Sequence, residues 1–183
     1  HDQVPVTGAD LLAMLPEALS AMDQPTTDGV NTFVVSRAAR QAGLTVALSG
    51  LGGDELFGGY PTFRDVPRSL RWRRVLGPLA SPLAWCVRRA APPLHRRPAK
   101  LADLLLCPPD LPSVYAARRR LFSPDQCLAL WPEAGQMLKG PLRPASPCPD
   151  CDVRDGVSAL DQTFYMRNQL LRDSDFMAMA CSL

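Results

Sequence analysis

The most constraining feature of this sequence is a short apolar run that leads directly into a glycine-rich loop. Residues 44–48 read Leu-Thr-Val-Ala-Leu, a composition typical of a strand buried on both faces of a parallel sheet. Residues 49–55 follow as Ser-Gly-Leu-Gly-Gly-Asp-Glu, and a helix is predicted to begin near Asp54. Because a helical pattern also precedes the strand, the order of elements predicts an α/β fold, in which ligands bind beyond the carboxyl ends of the strands.

Most of the remaining chain carries helical patterns that are broken by proline. Helices are predicted at residues 9–22 and 31–42, the second ended by Gly43 in a left-handed turn. The inner face of this second helix is predicted to carry Val34, Val35, Ala38, Ala39 and Ala42. Residues 64–142 are predicted to be mainly helical, and a last helix is predicted at 157–171. The predicted fold class is therefore a helix-rich α/β domain with few strands.

Composition excludes several classes of protein. Hydrophobic residues make up 46% and charged residues 21% of the 183 positions, which is globular rather than disordered usage. The longest apolar stretch, residues 75–87, is shorter than a membrane span and is predicted as a buried, broken helix. No signal peptide is evident, and six scattered cysteines fit reduced thiols, so the predicted location is cytoplasmic. Cys148 and Cys151 supply two of the roughly four ligands of a zinc site, so no structural zinc is predicted.

Positive charge is concentrated in one segment. Residues 64–97 contain nine arginines and a single acidic residue, Asp65. Such a stretch could bind phosphates or nucleic acid, yet no nucleic-acid-binding motif accompanies it. We favour a solvated helical face, with no nucleic-acid partner.

The glycine-rich loop itself predicts chemistry. Glycines let a backbone approach a ligand closely, and their N–H groups can cradle anionic oxygens. The loop is followed directly by two carboxylates, those of Asp54 and Glu55. They would repel a bare phosphate unless Mg²⁺ were bound between the carboxylate and phosphate oxygens. The loop therefore predicts a metal–diphosphate site. The alternative is that both carboxylates only stabilise the first turn of a helix through its dipole. The loop fits neither the Walker nor the Rossmann pattern.

Three segments resemble one family in that family's own order. Residues 46–60, Val-Ala-Leu-Ser-Gly-Leu-Gly-Gly-Asp-Glu-Leu-Phe-Gly-Gly-Tyr, resemble the second conserved block of glutamine-hydrolysing asparagine synthetases. Residues 22–26, Met-Asp-Gln-Pro-Thr, resemble the aspartate-x-proline loop of these enzymes. Residues 170–179, Leu-Leu-Arg-Asp-Ser-Asp-Phe-Met-Ala-Met, resemble the segment before their Glu-x-Arg-x-Pro stretch. The three matches span nearly the whole chain.

The resemblance implies an ATP-pyrophosphatase fold, with ATP and Mg²⁺ as cofactors. In that family a substrate carboxylate attacks the α-phosphate of ATP, and ammonia from a glutaminase domain then displaces AMP to form an amide. By position, Ser49 and Gly50 would lie against the adenylate, and Gly52 and Gly53 would complete the nucleotide loop. Asp54 would be the magnesium ligand, with Glu55 as a second candidate.

The sequence departs from the family pattern in two respects. No Ser-Gly-Gly-x-Asp-Ser diphosphate loop occurs in it, and it contains no glutaminase domain, so the chain is expected to be an inactive fragment of a synthetase domain. The expected divisions are 1–63 with the nucleotide loop, 64–156 as a helical region, and 157–183 as the last family segment. Leu51 stands where asparagine synthetases carry glutamate, which leaves the amide acceptor open. The alternative function is a non-catalytic binding or scaffold fragment that retains the fold.

Overall fold

The computed structural model of the chain describes residues 3–26, 28–90, 96–135 and 151–183. These residues form ten α-helices and no strand, which confirms the helix-rich part of the predicted fold class. The helices are α1 Gly8–Ala21, α2 Gly29–Gln41, α3 Gly53–Phe57, α4 Thr62–Leu76, α5 Ala80–Ala90, α6 Arg96–Leu106, α7 Leu111–Arg119, α8 Pro124–Leu130, α9 Val153–Leu160 and α10 Leu171–Ala180. Short 3₁₀ turns lie at Gly77–Leu79 and Pro132–Gly135, and a wider π-helix spans Asp161–Leu170.

The chain divides into two compact units. Unit 1 is His1–Gly52 with Thr163–Leu183, and unit 2 is Gly53–Gln162. The divisions expected from the sequence, at 63/64 and 156/157, follow family segments and stay a prediction.

Unit 1 is built from α1, α2 and α10. The first helix begins at a capping box, in which the Thr7 hydroxyl accepts from the Asp10 N–H at 3.2 Å and the Asp10 carboxylate accepts from the Thr7 N–H at 2.9 Å. Pro16 lies inside α1 without ending it. The core of the unit joins one buried residue from each helix: Ala18, Phe33 and Met177. Unit 1 is therefore held together by the contact of its two chain segments.

Unit 2 has its main core where α4 packs against α7 and α9. This core contains Phe63, Val66, Leu70, Val114, Tyr115, Val157 and Leu160. Helix α7 starts at Asp110, whose carboxylate accepts from the Ser113 N–H at 2.8 Å. A smaller core lies between α5 and α6, where Ala80 and Ala84 pack against Leu105. Small residues at these positions let the two helices approach closely.

The prediction of a strand at residues 44–48 is wrong. The segment has no regular secondary structure, and Val46 and Leu48 are 76% and 100% exposed. A parallel strand needs a neighbouring strand for its backbone hydrogen bonds, and none is present among the described residues. The turn before the segment is confirmed, because Gly43 follows α2 at a φ of +84°.

The arginine-rich middle of the chain is helical, as predicted, over its described parts 64–90 and 96–135. Positions 91–95 and 136–142 of that prediction lie outside the described residues, as does Cys148 of the zinc prediction, which stays a prediction. The stretch expected to be buried is instead largely exposed, including Val75, Leu79 and Trp85. The reason is that α5 buries its small residues, Ala80 and Ala84, and leaves its larger apolar side chains on the exposed face. None of the helices in the described ranges has the length and hydrophobicity needed to cross a bilayer.

Candidate nucleotide and metal site

The predicted nucleotide loop straddles the boundary between the units. Its first part belongs to unit 1, where Ser49 and Gly50 are exposed and the Leu51 N–H lies 3.4 Å from the Ser49 hydroxyl oxygen. Gly52 is buried with a φ of +93°, and a side chain added there would point at Met166. Since this φ disfavours any residue with a Cβ, glycine is required at position 52 by the backbone itself.

Helix α3 carries the first predicted metal ligand. The carboxylate of Asp54 is exposed and lies over Gly59, where an added Cβ would sit 2.1 Å from its Oδ1 atom. The N–H groups of Gly58 and Gly59 both donate to the carbonyl oxygen of Asp54 at 3.0 Å, and Gly58 has a φ of +78°. The two glycines thus fold the chain back over α3, and the space for the Asp54 carboxylate exists because Gly59 has no side chain.

Glu55, the second candidate ligand, points the other way. It is 1% exposed, and its carboxylate accepts a hydrogen bond from the Tyr60 hydroxyl at 2.9 Å. Its carbonyl oxygen accepts from the Ser158 hydroxyl at 2.6 Å, which ties α3 to α9. The guanidinium group of Arg119 lies over the Tyr60 ring at 4.9 Å. Glu55 therefore anchors α3 within unit 2, while Asp54 faces solvent.

A buried carboxylate completes this anchor. Asp161 is fully buried and accepts hydrogen bonds from the Tyr115 hydroxyl at 2.7 Å, from Arg119 Nε at 3.0 Å and from the Thr62 hydroxyl at 3.1 Å. Burial and the hydrogen bond to Asp161 raise the pKa of Tyr115, so its phenol remains a donor. Burial lowers the pKa of Arg119, but the hydrogen bond and charge of Asp161 outweigh it and leave that pKa raised.

Unit 1 brings the first and third family-like segments into contact. The hydroxyl of Thr26 donates to the carboxylate of Asp173 at 2.6 Å. Arg172 forms an ion pair with Asp23 and donates to the side-chain oxygen of Gln24 at 2.9 Å. These residues are almost 150 positions apart in sequence, so their contact is a property of the fold.

Comparison with known proteins identifies the family. The asparagine synthase family matches residues 1–183 of the chain. The chain belongs to the asparagine synthase family. Proteins assigned as glutamine-hydrolysing asparagine synthetases in Mycobacterium bovis and in two strains of Mycobacterium tuberculosis are 41% identical to it over 88 residues. That match covers 43% of this chain and 13% of each mycobacterial protein. No solved structure matches the chain.

An open polar cavity lies beside the contact of the two family segments in unit 1. Its volume is about 550 Å³, and its lining consists of Gln24, Arg167, Asn168, Leu171, Arg172 and Asp175. The polar lining comprises two guanidinium groups, two carboxamides and the carboxylate of Asp175, and Arg172 is already paired with Asp23, so the cavity carries charges of both signs. This cavity was not predicted from the sequence, because its two contributing segments are far apart in the chain.

In the part of the chain that the structure describes, no three carboxylate, histidine or cysteine side chains gather around a common point. Among these described residues, Asp54 thus has no second and third protein ligand beside it. Mg²⁺ commonly takes one or two carboxylates and completes its shell with water and substrate phosphates. Asp54 presents a single exposed carboxylate of that type, directly after the glycine loop in sequence.

The carboxyl group of Asp173 is expected to make the stability of unit 1 pH-dependent. Burial raises the pKa of Asp173 above 3.8, although the Thr26 hydrogen bond opposes this, and the nearby charges of Asp28 and Asp23 raise it further. The folded state thus binds this proton more tightly than the unfolded state, and the stabilisation is lost as the pH rises through the raised pKa. Asp173→Asn should therefore gain stability relative to the parent protein as the pH rises from about 4 through the raised pKa of Asp173.

Thermal unfolding followed by circular dichroism across that pH range tests the expectation. The exposed Asp175, two positions further along α10, provides the control variant Asp175→Asn. A stability difference between Asp173→Asn and the parent that is constant with pH would contradict the expectation.

Proposed function

We propose that this chain is the nucleotide- and metal-binding part of a synthetase domain, within a longer ATP-dependent amidotransferase of the asparagine synthetase type. The observation that carries the proposal is the exposed carboxylate of Asp54. It lies on α3, its carboxylate occupies space that a side chain at position 59 would take, and it follows the 49–53 loop directly in sequence. Membership of the asparagine synthase family supports the same conclusion.

The proposed metal ligand is Asp54 rather than Glu55. Asp54 is exposed and its carboxylate has room beside Gly59, whereas the Glu55 carboxylate is buried and bonded to Tyr60. When bound, Mg²⁺ would stabilise the negative charge that develops on the departing diphosphate. Tyr60 and Ser158 keep Glu55 in place, so that the helix carrying Asp54 is held in a fixed position.

The proposed loop residues bind and orient ATP. The exposed backbone of Ser49 and Gly50, with the serine hydroxyl, would contact the adenylate part, and the glycines at 52 and 53 would let the backbone come close to the phosphates. A substrate carboxylate oxygen would attack the α-phosphorus of ATP, and the bond to the diphosphate would break. Ammonia would then attack the acyl carbon, expel AMP and lose a proton, leaving the amide.

The amide acceptor is the part of the proposal that Leu51 constrains. Leu51 is 39% exposed and stands at the position of a glutamate in asparagine synthetases. A leucine side chain can neither accept a proton from ammonia nor hydrogen-bond a polar substrate. We therefore propose that a group other than residue 51 accepts the proton that ammonia loses. The substrate is a carboxylate, and aspartate is one of the carboxylates to be tested.

The full-length protein tests the proposal. It is incubated with ATP, Mg²⁺, glutamine or ammonium, and a panel of carboxylates that includes aspartate. The expected result is AMP, diphosphate and amide in equal amounts, with ATP consumed only when an accepted carboxylate is present. Cleavage to ADP and phosphate would overturn the proposal. Binding of ATP without turnover for any carboxylate would instead favour the scaffold alternative.

A further inference from the structure

Unit 2 carries an open apolar groove that the proposed chemistry does not use. Its volume is about 350 Å³, and its apolar lining comes from α4, α5 and α6, including Trp72, Leu76, Leu83, Val87, Leu101 and Leu104. Trp72 is 59% exposed, and Leu83 and Leu101 are 44% and 47% exposed. Apolar side chains grouped around a groove in this way are typical of a surface that binds a partner or a ligand.

The groove is also positively charged. Arg68, Arg73 and Arg118 contribute to its lining, and none of its lining residues is acidic. Arg118 donates to the hydroxyl of Ser69 at 2.8 Å, and Arg73 donates to backbone carbonyl oxygens, one of them that of Cys107 at 2.9 Å. These hydrogen bonds hold two of the guanidinium groups in place without neutralising them. An occupant therefore needs both apolar groups and negative charge.

Three kinds of occupant fit this combination poorly. A second copy of the chain docked symmetrically would oppose identical arginines across the contact, which is repulsive. A flat bilayer cannot follow a concave groove between helices. Nucleic acid gains from stacking on aromatic rings, but Trp72 is the single aromatic side chain of the lining, and the others are aliphatic.

We propose that the groove binds an acidic amphipathic helix of another protein. Such a helix would insert leucine-like side chains between α4 and α5 beside Trp72, and its flanking glutamates or aspartates would pair with Arg68, Arg73 and Arg118. Tryptophan and arginine are the residues that most often dominate binding at protein interfaces, and this groove presents both. The inference does not depend on the proposed enzymatic activity, because it concerns a different surface of unit 2.

The test uses a fluorescein-labelled helical peptide of about 18 residues, with leucines at i, i+3, i+4 and i+7 and glutamates flanking them. A second peptide carries lysine in place of each glutamate. Fluorescence anisotropy at about 0.15 M salt should show binding of the glutamate peptide, weakened by added salt, and no binding of the lysine peptide.

Trp72→Ala should weaken binding of the glutamate peptide about tenfold or more. Trp85→Ala, at an equally exposed tryptophan outside the groove, should change it less than about twofold.

A second matched pair tests the charge. Arg68→Glu should weaken binding as Trp72→Ala does, whereas Arg71→Glu, at an exposed arginine of the same helix outside the lining, should have the smaller effect. The proposal is overturned if the glutamate peptide fails to bind up to about 1 mM, or if Trp72→Ala and Trp85→Ala act equally. Two further outcomes would overturn the proposal. One is that the protein binds phosphatidylcholine–phosphatidylserine vesicles but not the peptide, and that this binding requires Trp72. The other is that the protein self-associates in sedimentation experiments and that Trp72→Ala abolishes the association.

Discussion

Replacing Asp54 with asparagine is expected to slow ATP-dependent diphosphate release by the full-length protein about a hundredfold or more, with little change in stability. Asparagine keeps the size of the side chain and one acceptor oxygen. It removes the negative charge that would hold Mg²⁺ against the diphosphate. Because Asp54 is exposed, the substitution leaves no buried group without a partner. Diphosphate release and the melting temperature are measured on the same preparations.

The control for this prediction is Asp155, which also lies exposed in the first turn of a helix. If Asp54 only stabilises the amino end of α3, its charge contributes about 0.3–1 kcal/mol to stability, and Asp54→Asn should behave like Asp155→Asn. Unchanged turnover with a small fall in melting temperature would defeat the metal-ligand assignment.

The variant Gly59→Ala tests whether the position of the Asp54 carboxylate matters for diphosphate release. The new methyl group would lie 2.1 Å from the Asp54 carboxylate, so that carboxylate must move. Diphosphate release should fall while all charges are kept. Gly8→Ala provides the control, because an added Cβ at that position meets no neighbouring atom within 4 Å and Gly8 lies outside the proposed nucleotide loop.

Asp161→Asn is expected to lower the free energy of unfolding of unit 2 by about 3 kcal/mol or more. The carboxylate is fully buried and accepts from Tyr115, Arg119 and Thr62. Asparagine offers only one acceptor oxygen. Its amide N–H groups would point at the groups that donate to Asp161, so those hydrogen bonds would be lost. The mainly buried guanidinium of Arg119 would lose its opposite charge, which is the expensive step.

Tryptophan fluorescence during urea unfolding measures this change, because Trp72, Trp85 and Trp131 all lie in unit 2. The control is Asp65→Asn, which breaks the exposed ion pair with Arg64 and should cost less than about 1 kcal/mol. If both variants lose the same stability, Asp161 does not have the proposed anchoring role.

Sequence patterns located the local features of the chain well. Gly43 ends α2 in a left-handed turn as predicted, and α3 begins within one residue of Asp54. Such features depend on residues that are neighbours in the chain, and glycine backbones and carboxylates at helix starts act over only a few positions. The same locality explains why proline-broken helical patterns predicted the helices of the middle segment.

Tertiary packing decided which faces were buried. Val35 was predicted to face inward, yet it is 61% exposed, and Phe33 and Ser36 are buried instead. Apolar periodicity marks a helix, but it does not say which neighbours the helix will meet. Since Phe33 meets Ala18 and Met177, the inner face of α2 was set by helices that the pattern of α2 does not contain.

Short runs of consecutive residues were enough to predict the family, the glycine loop and the candidate metal ligand, because each of these is encoded locally. The family resemblance already ranked Asp54 ahead of Glu55 as the metal ligand. Tertiary packing gave the two carboxylates different surroundings, because it left that of Asp54 exposed to solvent and buried that of Glu55 against Tyr60. It likewise placed Arg119 on Asp161 and left residues 44–48 without a neighbouring strand. The physical reason is common to all three. Burial, ion pairing and sheet formation depend on groups that are distant in the chain, and no local pattern records which distant groups will meet.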